Sequence, residues 1–215
     1  MDLDYLLAEH IDLRATLTLL GAVERGYTYH AQARDGFADP RLSIVAAGHM
    51  RNRKIDDVLV ADFENRVPGS KVEVRPITGS PNKLVLIKLG LFILTPGRCR
   101  TVPHYSHLPN ASKSRLKMAR ESIIQPQQRS LWDNASTGLN EKSQVEEDEY
   151  VFCVLSHHED GPDKSKLGRL DLVIVDQHYK IVQVYDLHSR SRQLAAVEAP
   201  INLEKVRLQR RGTKG

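Results

Sequence analysis

Two apolar segments near the C-terminal end constrain the fold more than any other feature of this sequence. Residues 168–190 read GRLDLVIVDQHYKIVQVYDLHSR, with apolar runs at 170–175 and 181–187 on either side of the polar segment DQHY. Strands that are covered on both faces of a sheet have such nearly continuous apolar runs. The segment therefore predicts a β-hairpin whose two strands are central and covered on both faces.

The first third of the chain has the apolar spacing of helices. A first helix is predicted from an N-cap at Asp4 towards Val23, with Gly26 bending or ending it. Its apolar residues at helical spacing are Leu7, Ile11, Leu13, Leu17 and Leu20. A second helix is predicted to begin with Asp39 as N-cap and Pro40 at the first helical position. The apolar face of this second helix comprises Leu42, Val45, Ile55, Leu59 and Phe63.

Beyond residue 66 the pattern changes to the period of two that is typical of strands. Residues 71–95 alternate between apolar and polar side chains and are interrupted by turn signals such as TGSPN, and a further strand is predicted at 150–155. These patterns predict an α+β fold. Its predicted parts are one domain at 1–203, with an N-terminal antiparallel helix pair at 1–66, a mainly antiparallel sheet at 71–95 and 150–187, and a polar helical insertion at 98–143.

The polar insertion is a candidate binding segment, because a polar stretch of this length is seldom featureless in a compact domain. One helix is expected from about residue 111 to 123 after an Asn110 cap, and a second short helix near 127–132. The cations of the insertion are Arg98, Arg100, Lys113, Arg115, Lys117 and Arg120. Tyr105 and Trp132 are expected to stack on or anchor a partner.

The net charge of +4 lies entirely in the C-terminal tail at 204–215. That tail has one acid, Glu204, and its cations are Lys205, Arg207, Arg210, Arg211 and Lys214. The body is therefore formally neutral, which is unlike a dedicated reader of duplex DNA. Arg210 and Arg211 are predicted to contact phosphates in a salt-dependent way. A second basic cluster, HMRNRK at 49–54, is expected to be a solvated helix face because nearby aspartates offset it.

The hairpin at 168–190 also resembles the core of PD-(D/E)xK nucleases. In that superfamily an aspartate near the start of one strand and an acid-x-lysine motif on the next hold a divalent metal against the scissile phosphate. Asp171 matches the first aspartate. The second motif departs from the pattern, since Gln183 or Asp186 stands for the acid and His188 replaces the lysine. A helical glutamate, Glu9 or Glu24, would add a ligand.

What the resemblance implies is a Mg²⁺-dependent nuclease, or an inactive relative of that fold. The residues it would assign to catalysis are Asp171, Asp186, Gln183 and His188. Hard oxygen ligands and a cation that orients water are what such chemistry requires.

Cysteine and histidine residues raise the separate question of a zinc site. The candidates are Cys99, His104, His107, Cys153, His157 and His158. Their spacing is not a usual zinc pattern, and no CxxC pair accompanies them. We therefore predict no structural metal and two buried, reduced thiols.

The remaining signals favour a binding role over catalysis. The sequence contains no G-x-G-x-x-G, P-loop, G-x-S-x-G or H-E-x-x-H motif. Its longest apolar run, at 84–94, is too short to cross a membrane, and no secretory segment precedes it, so a cytoplasmic protein is expected. We predict a non-enzymatic binding module for a nucleic-acid or protein partner, without a cofactor. The nuclease is the alternative, and a homodimer formed through the long first helix stays open.

Overall fold

A computed structural model describes residues 2–35, 40–77, 83–99, 107–124, 149–160 and 163–197. It confirms the predicted α+β class, with N-terminal helices packed on a mainly antiparallel sheet. The helices are α1 (Leu3–His10), α2 (Leu13–Asp35), α3 (Pro40–Arg66), α4 (Lys113–Glu121) and α5 (187–197). The strands are β1 (Lys71–Pro76), β2 (Lys83–Leu89), β3 (Phe92–Arg98), β4 (Val151–Asp160), β5 (Asp163–Val175) and β6 (Ile181–Asp186).

The six strands of the sheet lie in the order in which they occur in the chain. Every neighbouring pair is antiparallel except β3 and β4, which are parallel. A parallel pair needs a crossover connection, and the segment that contains α4 supplies it. The insertion thus joins two adjacent central strands.

Helices cover the sheet on both faces. On one face α1, α2 and α3 bury the larger apolar cluster, which includes Leu170, Leu172 and Ile174 of β5. On the other face α4 packs through Met118 and Ala119 against a second cluster that includes the alternate β5 residues Val173 and Val175. Because β5 is buried on both sides, its continuous apolar run is explained.

The prediction that both hairpin strands are central is wrong for the second one. Among the residues that the structure describes, β6 is the last strand in the sheet order and pairs only with β5. Its side chains are half-buried or exposed, with Ile181 exposed by 44%. An apolar run alone does not distinguish a central strand from an edge strand that packs one face against helices.

The N-terminal helix begins earlier than predicted and is broken in two. Asp2, rather than Asp4, is the N-cap of α1. The chain leaves helical geometry at Ile11, and the side chain of Asp12 then accepts a hydrogen bond from the Ala15 amide at 2.7 Å. This bond satisfies an amide at the start of α2 that has no partner within the helix.

Gly26 does not end α2, which continues to Asp35. Instead, Gly26 is the point of closest approach to α3. A Cβ atom at this position would lie 2.2 Å from Ile55 Cγ1 and 3.3 Å from the Arg51 carbonyl oxygen. The glycine therefore allows the two helices to pack closely. The prediction that it ends the helix is wrong, because a glycine inside a helical pattern can serve packing instead of termination.

Arg51 corrects the prediction that the basic cluster at 49–54 is a solvated face. Its side chain is fully buried and its Nη1 donates to Glu159 Oε1 at 2.8 Å. The guanidinium also lies 4.7 Å above the ring of Tyr27. A cation is buried at acceptable cost only when it is paired in this way. Asn52 and Arg53 of the same cluster are exposed.

The insertion helix α4 is shorter than predicted and is capped by Ser112 rather than Asn110, through a bond from the Arg115 amide. The second predicted helix near 127–132 lies outside the described residues. Within the described ranges, no helix combines the length and apolar character needed to cross a membrane. Both cysteines are free and buried, as predicted.

Candidate functional site

Strands β2 and β3 separate part-way along their length and form a fork in the sheet. They pair only from Ile87 opposite Leu94 to Leu89 opposite Phe92. Beyond this point, within the described ranges, β2 pairs with β1 alone and β3 with β4 alone. Pro96 lies in the separated part of β3, and a proline has no N–H with which to continue a ladder.

Arg115 of α4 reaches into this fork. Its Nη2 donates to the Pro96 carbonyl at 2.8 Å and its Nη1 to the Asn110 carbonyl at 3.2 Å. A Cβ atom on Gly97 would lie 2.6 Å from both Arg115 Nη2 and Pro109 Cγ. The Pro96-Gly97 pair lies within β3, where it opens the ladder and admits the guanidinium.

The fork opens into a cleft of about 940 Å³ between α3, the separated strands and the start of α4. We call it the fork cleft. Its apolar lining includes Ile55, Val74, Ile77, Leu84, Val85 and Pro96. Its polar and charged lining includes Asn52, Arg53, Asp56, Asp57, Lys83, Thr95, Arg98, Ser112, Arg115 and His157. A concave site with both kinds of lining is the usual form of a ligand site.

Two adjacent acids of α3 face the cleft. Burial and the neighbouring carboxylate of Asp57 raise the pKa of Asp56 to about 7, while Arg115 opposes this shift. At neutral pH both the protonated and the ionised form of Asp56 are therefore populated. The protonated form can donate a hydrogen bond, and both forms can accept one. Perturbed acids of this kind concentrate at functional sites.

Arg98 of β3 also lines the cleft and belongs to a buried charge cluster beside it. Arg98 donates through Nη2 to Glu159 Oε1 at 2.7 Å, and the same oxygen accepts from Arg51. Two guanidinium groups thus share one carboxylate, and the Arg98 side chain remains 40% exposed. With two guanidinium groups and one carboxylate, this cluster has a net positive charge.

His157 also lines the cleft, and it is a neutral group. Its Nδ1 lies 2.9 Å from the Tyr27 hydroxyl. Burial, followed by Arg51 and Arg98, holds the pKa of His157 well below its usual range. The ring is therefore a hydrogen-bonding partner of Tyr27 at all physiological pH values.

Three exposed cations continue from the cleft along α4. Lys113, Lys117 and Arg120 are spaced at i, i+4 and i+7, which places them on one side of the helix. We call them the basic stripe.

Of the other cations predicted to bind nucleic acid, Arg98 and Arg115 lie in the fork cleft. Those outside the described residues are Arg100, Arg210 and Arg211, together with the predicted anchors Tyr105 and Trp132.

The acids assigned by the nuclease resemblance do come together, because Asp171 of β5 pairs directly with Asp186 of β6. Asp171 is fully buried, and its Oδ1 accepts from Arg169 Nε at 2.7 Å. Its Oδ2 lies 2.9 Å from His107 Nδ1 and 4.0 Å from His158 Nε2. Cationic and imidazole groups of the protein therefore already surround this carboxylate.

The other residues of that assignment are not aligned with Asp171. Gln183 pairs with Ile174, whose side chain lies on the α2 face of the sheet, opposite to Asp171. Asp186 accepts from the Ser189 amide at the start of α5, the helix that contains His188. Burial raises the pKa of Asp186, but backbone bonds from Ser189 and His188 outweigh it, so the pKa lies below its usual value.

Glu9 and Glu24 are exposed on α1 and α2, which pack on the sheet face opposite to Asp171. Neither is placed to join Asp171 and Asp186. The helical glutamate that the nuclease resemblance implies is therefore not provided by these two residues.

The zinc candidates are also distributed over both faces of the sheet. Cys99 Sγ lies 2.8 Å from Ser156 Oγ, whereas Cys153 belongs to the cluster under α2. Burial raises the pKa of Cys99 to about 11. His104 lies outside the described residues. Among the residues that the structure does describe, no three His, Cys, Asp or Glu side chains are arranged as metal ligands.

Comparison of the chain with protein-family models, with curated proteins and with solved structures gave no match. The assignment of a function therefore depends on the geometry of this chain. Sequence reasoning identified Arg98, Arg115 and the basic stripe, but it missed Asp56, Lys83 and Thr95. The only local signal for the cleft was a Pro-Gly pair inside an apolar, strand-like segment.

Proposed function

We propose that this protein is a non-enzymatic binding module for nucleic acid, which holds phosphates along the basic stripe and at the mouth of the fork cleft. The observation that carries the proposal is the alignment of Lys113, Lys117 and Arg120 on the exposed side of α4. The stripe spans about 10 Å at about 1.5 Å per helical residue. A row of exposed cations of this length can contact successive phosphates of one strand.

Further cations extend the stripe towards the sheet. Lys83 is exposed at the tip of β2, and Arg98 is partly exposed on the facing strand. Both line the cleft from which α4 begins. A backbone lying along α4 would therefore meet cations at both ends of its path, which is the arrangement expected of a phosphate-binding surface.

A protein partner is less well supported by this surface. Protein interfaces are anchored by buried aromatic and aliphatic side chains. The outward face of α4 has three cations and the acid Glu121, which lies 3.9 Å from Lys117, and the helix uses Met118 and Ala119 inwards. Among the described residues, the exposed large apolar side chains are scattered over other elements: Tyr5, Leu17, Tyr29, Val74, Ile181 and Val197.

The test is a salt series of binding measurements with fluorescently labelled DNA and RNA. Replacing Lys113, Lys117 and Arg120 together by glutamine should reduce the magnitude of the slope of log K against log salt by about 2–3. The matched control replaces three exposed cations on other elements by glutamine, namely Arg14, Lys71 and Arg192. Equal losses in both triple variants, or no binding by the wild type, would contradict the proposal.

A metal-dependent nuclease is the second candidate, favoured by the direct pairing of Asp171 with Asp186. Mg²⁺ requires several oxygen ligands in open, near-octahedral geometry. Asp171 is instead buried beneath Arg169 and His107, so these residues do not fit a Mg²⁺ site. Cleavage of the same labelled strands in Mg²⁺ or Mn²⁺, abolished by Asp171→Asn in a folded variant, would favour the nuclease over the binding module.

A further inference from the structure

The fork cleft is open to solvent and has a volume of about 940 Å³. Ligand sites fall in a range of roughly 300–1,000 Å³. The cleft therefore has the size of a site that holds a small molecule or one unit of a polymer.

Thr95 gives independent evidence that the cleft is incomplete without a ligand. This residue of β3 lines the cleft and is only 1% exposed. Its hydroxyl has no hydrogen-bond partner among the residues that the structure describes. Because buried polar atoms are nearly always paired, this hydroxyl points to a polar ligand group at the inner end of the cleft.

The lining divides into parts that suit different groups of a nucleotide. Leu84, Val85 and Pro96 give aliphatic surfaces on the separated strands, and nucleobases are held between side chains of this kind. Asp56 and Thr95 offer donors and acceptors, which the edges of all bases require. A phosphate group would meet two cations of the cleft lining, Lys83 on β2 and Arg98 on β3.

We infer that the fork cleft binds one unpaired nucleotide of the strand that lies along α4, with the base inside the cleft and its phosphate at Lys83 and Arg98. This inference rests on the proposed function and deepens it. A base within a duplex is stacked and paired and must first be extruded before it can enter such a pocket. The protein therefore binds single strands in preference to duplexes.

The experiment measures the affinity of the full chain for a labelled 12-nucleotide single strand and for a duplex of the same sequence. Ala61→Trp fills the cleft from an exposed position on α3, so the fold is retained. Ala196→Trp on the exposed side of α5 is the matched control. The expected result is an affinity for the single strand at least 10-fold weaker in Ala61→Trp, with duplex affinity and the control variant unchanged.

A second variant tests the inner end of the cleft. Thr95→Val keeps the side-chain shape and removes the hydroxyl, and it should weaken single-strand binding several-fold without changing duplex binding. The inference is overturned if the wild type binds both probes equally and neither variant changes its affinity for the single strand. If binding is then still sensitive to salt and dependent on the basic stripe, only the inference about the cleft fails and the proposed function stands. If the wild type binds neither probe, both the inference and the proposed function fail.

Discussion

The carboxylate of Glu159 on β4 accepts a hydrogen bond from Arg51 on α3 at 2.8 Å, although both side chains are at least 98% buried. Arg98 donates to the same oxygen from β3. Tyr27 of α2 lies under the Arg51 guanidinium and is hydrogen bonded to His157. One buried polar network thus connects two helices and two strands directly beside the fork cleft.

Breaking this network from the helix side should destabilise the fold. Arg51→Met is expected to lower the free energy of unfolding by about 3 kcal/mol, because removing one member of a buried ion pair leaves the other desolvated. Arg98 still neutralises part of the Glu159 charge, which keeps the loss at the lower end of the usual range. Urea denaturation monitored by circular dichroism measures the change.

The neighbouring Arg53→Met is the control, since Arg53 is exposed on the same helix. It should change the free energy of unfolding by no more than about 0.5 kcal/mol. The double variant Arg51→Met with Glu159→Leu should recover part of the lost stability, because an apolar pair replaces the buried carboxylate while Arg98, which also loses its partner, is 40% exposed and can be solvated. Similar effects of Arg51→Met and Arg53→Met would show that Arg51 is not buried against Glu159.

The packing of α2 on α3 gives a second prediction through two glycines of one helix. Gly26→Ala should destabilise the protein by about 1–3 kcal/mol, because the new Cβ would overlap Ile55 Cγ1 in a close-packed contact. Gly21→Ala should stabilise it by about 0.5–1 kcal/mol, since its Cβ would meet only Arg25 Nη1 at 3.6 Å. Thermal or urea unfolding should show that the two substitutions change the free energy of unfolding in opposite directions. Equal changes would refute the close approach at Gly26.

The elements that the sequence predicted best are those encoded by neighbouring residues. Pro40 does begin α3, and the apolar run at 170–175 is a strand covered on both faces. Both follow from local signals, namely the fixed φ of proline at a helix start and an apolar run with no polar face.

Features that depend on distant residues were missed. The burial of Arg51 requires Glu159, which lies 108 residues further along the chain. Gly26 resembles a helix stop until Ile55 is seen to occupy the space beside it. The fork cleft arises where the ladder between β2 and β3 stops beyond Ile87 and Leu94. The alternation pattern within a strand does not show where its pairing with a neighbour ends. Sequence reasoning therefore found cations of the site but not its shape.

The two thiols give a third prediction, which tests burial on both faces of the sheet. Burial raises the pKa of both Cys99, to about 11, and Cys153, so neither forms an appreciable amount of thiolate at pH 8. A chromogenic thiol reagent should react slowly with the native protein and rapidly with both thiols in urea. Ala196→Cys, an exposed thiol on α5, is the control that should react at once. Rapid reaction of a native cysteine would contradict its placement.

Asp56 gives the last prediction, because its charge changes near neutral pH. Burial and then Asp57 raise its pKa to about 7 in the folded chain, against about 3.9 for an unfolded aspartate. The folded state therefore holds the proton more tightly than the unfolded state does. The contribution of Asp56 to stability is fully present below about pH 4 and is lost as the pH rises to about 7.

Comparison with Asp56→Asn isolates this effect from the other titrating groups. The variant should become more stable relative to the wild type as the pH rises from 4 to 7, and Asp57→Asn should lower the pKa of Asp56 in an NMR titration.

If the neutral acid donates to a base in the fork cleft, single-strand affinity of the wild type should fall between pH 6 and pH 8. Asp56→Asn, which stays neutral, should not show this fall. If the affinity of the wild type does not depend on pH, Asp56 does not donate to the bound nucleotide, although its effect on stability still stands.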